Sequence, residues 1–356
     1  MTATVERAGD TRGARPPGMV VIGRRLALPM SRAALLAGVG TVLALVVASV
    51  ATLSMGRLGV PLGELPTALT GGAEGKTLFV LDRLRGPRLV VAIAAGAAFG
   101  ISGALFQSVT RNPLGSPDVI GLGAGAGAGA AVVALKMPEG VPVSLGALIG
   151  AAAAITLVYF ATGSGFRDPG RLIVAGIGVA AIAIAITQYV VYAVERERAT
   201  ALTAYVNGSL AARSWDDARE IGLALLVLLP LTLAMARRLD IGEMGDEIAA
   251  ALGAEPKRTR ARAVLLSVLL SAAAISVAGP IAFIALTAPQ IARRLTGGWG
   301  AHLVLSALLG SLLLVLADLA AQQLPMDDMP VGIYTMAIGG IYLGYLLTRE
   351  WRRGRL

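Results

Sequence analysis

Few side chains in this 356-residue sequence could do chemistry, and those that could point to charge recognition rather than catalysis. Arg85 and Arg88 flank Gly86-Pro87 at the start of an apolar run. A guanidinium fork there can grip a carboxylate through two parallel hydrogen bonds, or it can anchor the helix among lipid headgroups. Asp318 is an ionisable group near one end of another apolar run. Such a group is expensive in a membrane and marks a functional position, or it bonds a nearby helix end. Gln107, Ser108, Asn112 and Pro113 form a polar break between two apolar runs; an amide there either lines a path or bonds a neighbouring helix. The absence of cysteine and the single His302 argue against a protein-built metal site. Gly71-Gly72-Ala73-Glu74-Gly75-Lys76-Thr77 nearly spells a phosphate-binding loop, but its first required glycine falls on Thr70 and no strand precedes it. That stretch reads as a flexible outer loop.

The elements that must hold these residues are membrane helices. The chain is 56% hydrophobic and 15% charged, where a soluble domain carries about 25% charged residues. Aromatics are scarce at 4% and there are 45 glycines, so the helices must pack through small residues. Ten apolar runs can be marked, roughly 32–54, 88–109, 119–136, 143–163, 171–193, 216–236, 263–279, 280–296, 302–322 and 331–348. A span needs about 17–20 residues. Gly279-Pro280 and Pro289 interrupt the 263–296 pair, which could also be one helix plus a broken one. The glycine alternation after Val119 suits a thin helix better than a silk-like strand.

The net charge of +9 does not indicate nucleic acid, because the basic residues lie between apolar runs. With the N-terminus inside, 21 of the 31 Lys and Arg fall in the inner segments 1–32, 109–118, 164–171, 237–262, 293–302 and 349–356. This bias predicts an all-α polytopic membrane protein of about ten transmembrane helices with both termini cytoplasmic. Residues 1–30 read as a basic disordered tail without a cleavable signal, 31–348 as the transmembrane domain, and 349–356 as a second basic tail. Glu195-Arg196-Glu197-Arg198 reads as a solvated outer face. Tyr205 to Asp216 reads as a short interfacial helix, a turn, and a Ser or Asp cap.

The largest inner loop spans 237–262. Asp240 to Leu252 has helical spacing, Gly253 is placed to end a helix, and Pro256 prevents simple continuation. Lys257, Arg258, Arg260 and Arg262 follow. The loop is either a membrane-surface helix with basic anchors or a docking element for a cytoplasmic partner.

Several of these stretches resemble the FecCD-type permeases, the membrane subunits of ABC importers for ferric siderophores, haem and vitamin B12. The resemblance is carried by Arg85-Gly86-Pro87-Arg88, by Ser102 to Gln107, and by Arg111-Asn112-Pro113-Leu114-Gly115-Ser116-Pro117-Asp118-Val119-Ile120-Gly121. Asn207 to Leu210, Gly242 to Gly253, Gly279 to Ile284, Ala317-Asp318 and Pro330 to Ile333 extend it, in family order, over nearly the whole chain after residue 30. Gly115 to Gly121, with Ala212 to Asp216 and Gly339 to Leu343, looks most like the ferric-enterobactin-type members.

The resemblance implies a type II ABC importer permease architecture. It implies a second permease subunit, two cytoplasmic ATPases that hold ATP-Mg, and an extracytoplasmic substrate-binding protein. A related second permease is preferred over an identical one. The permease itself binds no cofactor, and iron passes only as a chelate. Two coupling helices to the ATPase are expected at about Gly242–Leu252 and Pro256–Arg262. Glu247, Ala249 and Gly253 match the Glu-x-Ala-x-x-x-Gly spacing, and Gly242, Lys257 and Arg258 lie beside them. Arg85 and Arg88 match outer arginines that pair with binding-protein glutamates. Gln322 stands at the family's third basic position, and Gln290 stands where a histidine is common. The rival classes are a secondary transporter, which would need paired intramembrane carboxylates, and a non-transporting scaffold, against which the coupling-loop pattern argues.

Overall fold

The computed structural model describes residues 19–22, 28–56, 58–136, 141–163, 166, 168–193, 202–298, 300–324 and 329–352. Ahead of the first span, β1 (Met19–Ile22) and β2 (Leu28–Ser31) pair antiparallel, with Met19 opposite Ser31. The tail expected to be disordered over 1–30 therefore contains a two-stranded ladder. Val20-Val21-Ile22 is a β-branched run whose stiff side chains favour extended backbone. The remainder of that tail, and Glu195 to Arg198, lie outside the described residues.

The helices follow in order. They are α1 (Arg32–Ser54), α2 (Gly86–Thr110), α3 (Leu122–Lys136), α4 (Val143–Ala161), α5 (Pro169–Ala193) and α6 (Trp215–Glu243), then a short α7 (Asp246–Ala251). α8 (Pro256–Ala278), α9 (Ile284–Thr296), α10 (Leu303–Gln323) and α11 (Val331–Arg352) complete the chain. Each of the ten apolar runs maps to one of these helices, with α7 additional. Ser31 starts α1 by accepting a hydrogen bond from the Ala34 amide at 3.1 Å. The doubtful 263–296 stretch is two helices. The outer segment before α2 is not a simple loop but is helical over Leu65–Thr67, Ala68–Gly72, Gly75–Phe79 and Val80–Arg85. The expected basic tail after 348 is helical to Arg352.

Small residues set the packing. A Cβ on Gly96 of α2 would lie 2.5 Å from the Gly310 carbonyl oxygen of α10, and one on Gly100 would lie 2.0 Å from that of Ser306. The alternating glycines of α3 do the same against α4, where a Cβ on Gly129 would meet the Gly146 carbonyl oxygen at 2.1 Å. These backbones touch because no side chain stands between them, which is how helices associate where lipid removes the hydrophobic drive. Ser102 of α2 and Ser267 of α8 lock a third contact, each hydroxyl donating to the other's carbonyl, at 2.6 and 2.8 Å.

Two helices are too short to span. α3 has 15 residues and α9 has 13, so they reach about 22 Å and about 20 Å, against a core of about 30 Å. Each begins at a break inside the bundle. Pro117–Ile120 forms a tight 3₁₀ turn against α5, where a Cβ on Gly176 would lie 2.4 Å from the Ile120 Cα. Gly176 is two helical turns along α5 from Pro169, about 10 Å along the helix. The stretch 109–118, expected wholly in a cytoplasmic loop, therefore turns back into the bundle. It can do so because Gly121, at φ 79, ends the turn and starts α3. The break between α8 and α9 meets two others. The Ser209 amide donates to the Ala278 carbonyl at 2.9 Å, and the Gly332 amide to the Gly208 carbonyl at 3.0 Å. Irregular backbone at membrane depth is tolerated only where protein buries it or a cavity adjoins it.

Candidate functional site

The polar residues gather at the two ends of α2. At its outer end Pro87 sits in the first turn, where its missing amide costs nothing. Arg88 lies one residue on and reaches α10. Its Nε donates to both oxygens of Asp318 at 3.0 Å, and its Nη2 to Oδ1 at 2.7 Å. Asp318 is 1% exposed, and Gln322, one turn further along α10, donates to its Oδ2 at 2.7 Å. Asp318 was expected to be a functional group or to bond a nearby helix end; its partner is Arg88. Arg85 is buried and donates to the Thr52 carbonyl at the end of α1. The two arginines expected on the outer face are thus tied into the protein, with Nη1 of Arg88 and Nη2 of Arg85 not used in these bonds. Gln322, at the third expected basic position, completes the Asp318 site.

At the inner end the network is wider. Ser108 donates to Oε1 of Glu243 on α6 at 2.9 Å, Arg293 of α9 reaches the same oxygen at 3.3 Å, and the Gly300 amide donates to Oε2 at 3.0 Å. Arg111, in a left-handed conformation after α2, donates to the Gly242 carbonyl at 2.8 Å and to Asp246. Arg260 of α8 grips both Asp246 oxygens at 2.9 and 2.8 Å. The hydrogen bonds from Arg260, then Arg111, hold the Asp246 carboxyl below the ordinary carboxylate range. One carboxylate therefore joins α2, α7 and α8.

The loop expected to form two coupling helices has a different division. α6 runs to Glu243, so Gly242 belongs to its last turn. Gly245, at φ 114, breaks the expected Gly242–Leu252 helix, leaving α7 over Asp246–Ala251. Gly253, at φ 78, closes α7 as expected: its amide bonds the Ala250 carbonyl at 3.0 Å and the Ala254 amide bonds that of Ala249 at 2.9 Å. The expected second helix, Pro256–Arg262, is the first two turns of α8 rather than a separate element. Ala249 is on the buried side of α7, while Glu247, Lys257 and Arg258 are exposed, Arg258 pairing with Glu255 at 2.8 Å. Met244, Ile248 and Leu252 present an exposed apolar edge.

The path candidates separate. Gln107 is fully buried; its Nε2 donates to the Leu286 carbonyl at 3.0 Å and its Oε1 accepts from Gln290 at 2.8 Å. Gln290 also donates to the Pro113 carbonyl at 2.8 Å, so this pair clamps the re-entrant turn to α9. Asn112 and Pro113 are exposed, and Asn112 accepts from the Leu114 amide at 2.9 Å. Sequence reasoning missed Glu243, Asp246 and Arg293. Their partners lie far away in the chain, and no local pattern links them. His302 bonds Thr296 at 3.1 Å, and no group of metal-ligating side chains occurs among the described residues.

Residues 43–349 match the FecCD transport family. The chain is 39% identical over 328 residues to the ferric enterobactin transport system permease protein FepG of Escherichia coli (strain K12), covering 91% of this chain and 99% of that one. It is 36% identical to the Fe(3+)-citrate import system permease protein YfmE of Bacillus subtilis (strain 168), over 87% of this chain and 93% of the relative. Its fold is that of a metal-chelate type ABC transporter solved in an inward-facing conformation, with a TM-score of 0.76 at 23% identity, covering 88% of this chain and 99% of that chain.

Proposed function

The chain belongs to the FecCD transport family, and we propose that it is the permease subunit of an ATP-driven importer that carries a ferric siderophore across the cytoplasmic membrane of a bacterium. The observation that carries this reading is the identity with a ferric enterobactin permease across 99% of that protein's length. The cargo moves as a finished chelate. Among the described residues no group of three or more metal-ligating side chains offers to strip and hold the metal.

The α6–α8 loop is the coupling element. A separate ATPase, holding ATP-Mg, seats α7 and the start of α8 in a cleft, meeting Glu247, Gly253, Lys257, Arg258 and the edge of Met244, Ile248 and Leu252. Ala249, on the buried side of α7, lets it lie close to the bundle, and Gly242 gives its carbonyl to Arg111. Movement of α7 passes through Asp246 to Arg111 and Arg260, and so to α2 and α8. The unspent edge of Arg88 meets a carboxylate of an extracytoplasmic binding protein, and buried Arg85 steadies that end of α2 against α1. Asn112 and Pro113 stand at the inner mouth of the path, with Gln107 and Ser108 bracing it. A second, related permease completes the membrane unit, with two ATPases beneath.

The test is uptake of a radiolabelled ferric siderophore into vesicles holding both permeases and the ATPases, with binding protein outside. Uptake should require ATP and collapse in its absence. Uptake that persists without any ATPase would sink the importer reading.

A further inference from the structure

One intramembrane carboxylate takes no part in either network. Asp118 lies on the re-entrant turn Pro117–Ile120, and while its backbone carbonyl accepts from the Gly121 amide at 2.9 Å, its carboxylate makes no hydrogen bond or ion pair with any described residue. It lines a cavity of about 370 Å³ bounded by α3, α5 and two of the backbone breaks, with Gly127, Val206 and Pro280 on its walls. The polar groups that α5 gives the cavity are Thr187 and Gln188. Thr187 spends its hydroxyl proton on the Ala183 carbonyl at 3.0 Å, so it offers the cavity a lone pair. Gln188 is exposed and also bonds no described residue. Other walls are glycine, alanine and aliphatic carbon.

This arrangement has a chemical bias. Asp118 and Thr187 present acceptors only; Gln188 alone can do both. A carboxylate without a partner at membrane depth is costly and is retained where something fills it. A bare amide on an apolar helix likewise does not belong against lipid. No cation among the described residues reaches Asp118, which leaves its carboxylate open to one carried by the cargo.

We propose that Asp118, Thr187 and Gln188 form a station on the translocation path that accepts a cationic, hydrogen-bond-donating group of the cargo, such as an ammonium arm of the chelate. The occupant's identity rests on the importer reading above; the electrostatic bias of the cavity does not.

The chain has no cysteine, so Gln188→Cys gives a unique thiol. In the assembled importer with cysteine-free partners, turning over ATP, its reaction with a cationic and an anionic methanethiosulfonate is compared, with and without Asp118→Asn. The carboxylate should favour the cationic reagent by about tenfold relative to the Asn variant, as a charged cleft does for its counter-ion. A ratio that Asp118→Asn leaves unchanged, or a thiol that never reacts, overturns the proposal. Loss of the bias on assembly with the second permease also overturns it, because a basic residue of that subunit then fills the site. Uptake of an amine-bearing ferric trihydroxamate and its N-acetylated form supplies the second readout. The amine form should be preferred by about tenfold, the worth of one hydrogen bond to a charged group, and Asp118→Asn should erase that preference. An equal preference in both proteins overturns the cargo assignment. A cationic bias without uptake of any chelate leaves the cavity's bias standing, and refutes the cargo assignment together with the importer reading.

Discussion

Both ends of α2 place an arginine on a carboxylate of another element, and the two pairs are built to opposite ends. Arg88 commits two nitrogens to Asp318, which is 1% exposed and finished by Gln322. Arg111 shares Asp246 with Arg260, and that carboxylate's side chain is 48% exposed. A buried carboxylate with a complete donor set fixes one geometry and penalises any departure from it. An exposed, shared carboxylate stores little energy, but it joins three elements, so displacement of one is felt by the others. The outer end is built as a fixed frame and the inner end as a linkage.

The largest effect should come from breaking the frame. Asp318→Ala leaves the Arg88 cation facing a nearly closed site and should cost about 3–5 kcal/mol, read as thermal unfolding of the purified protein. Arg88→Met added to Asp318→Ala should recover most of the loss. Equal losses in the single and double variants would show that the pair is not what holds α2 to α10. On the linkage side, Gly253→Arg puts a side chain on backbone at φ 78, a local cost of about 1–2 kcal/mol. The helical bundle should insert normally, while transport and transport-coupled ATP turnover disappear. Unimpaired coupled turnover would detach α7 from the ATPase. Glu243→Gln keeps one oxygen for the Gly300 amide and turns an NH2 to Ser108, whose hydroxyl can accept from it, but loses the charge facing Arg293, so it should cost about 1.5 kcal/mol. It should slow coupled turnover without abolishing it, and wild-type kinetics would remove Glu243 from the linkage.

The frame was partly legible in the sequence and the linkage was not. Arg85, Arg88 and Asp318 stood out because a charge inside or beside an apolar run is conspicuous by type. Their pairing was not legible, since Arg88 and Asp318 lie 230 residues apart. The ten runs emerged from hydropathy because lipid makes that signal strong. The re-entry of 112–121 did not, since a turn that climbs into a bundle has the same polarity as one that stays in water. Gly253 was legible as a stop because a left-handed residue after a helix is usually glycine. Gly245 carries the same signal four residues after Ile241, and the apolar spacing on either side of it concealed the break. Asp118 stood out only as the end of the stretch Gln107 to Asp118 expected to shape the inner end of the path, because its distinguishing feature, a carboxylate without a partner, belongs to the fold.

The smallest expected effect reads the linkage through acid. Asp246 is held below its ordinary range by Arg260 and Arg111, so folding favours its charged form. Stability from a carboxylate shifted downward is complete above the unfolded value of about 3.9 and fades as pH falls through the lower folded value. The inner loop should therefore hold its geometry at neutral and mildly acid pH. Once Asp246 takes a proton, both arginines lose their partner and α7 comes free of α2 and α8. Hydrogen exchange at the amides of α7 and the turn to Pro256 should accelerate below about pH 4, after correction for the intrinsic rate. In Asp246→Asn the same amides should exchange fast at neutral pH and show no acid step. An acid step that survives Asp246→Asn would assign the release to another group, and the shared carboxylate would no longer be what couples these helices.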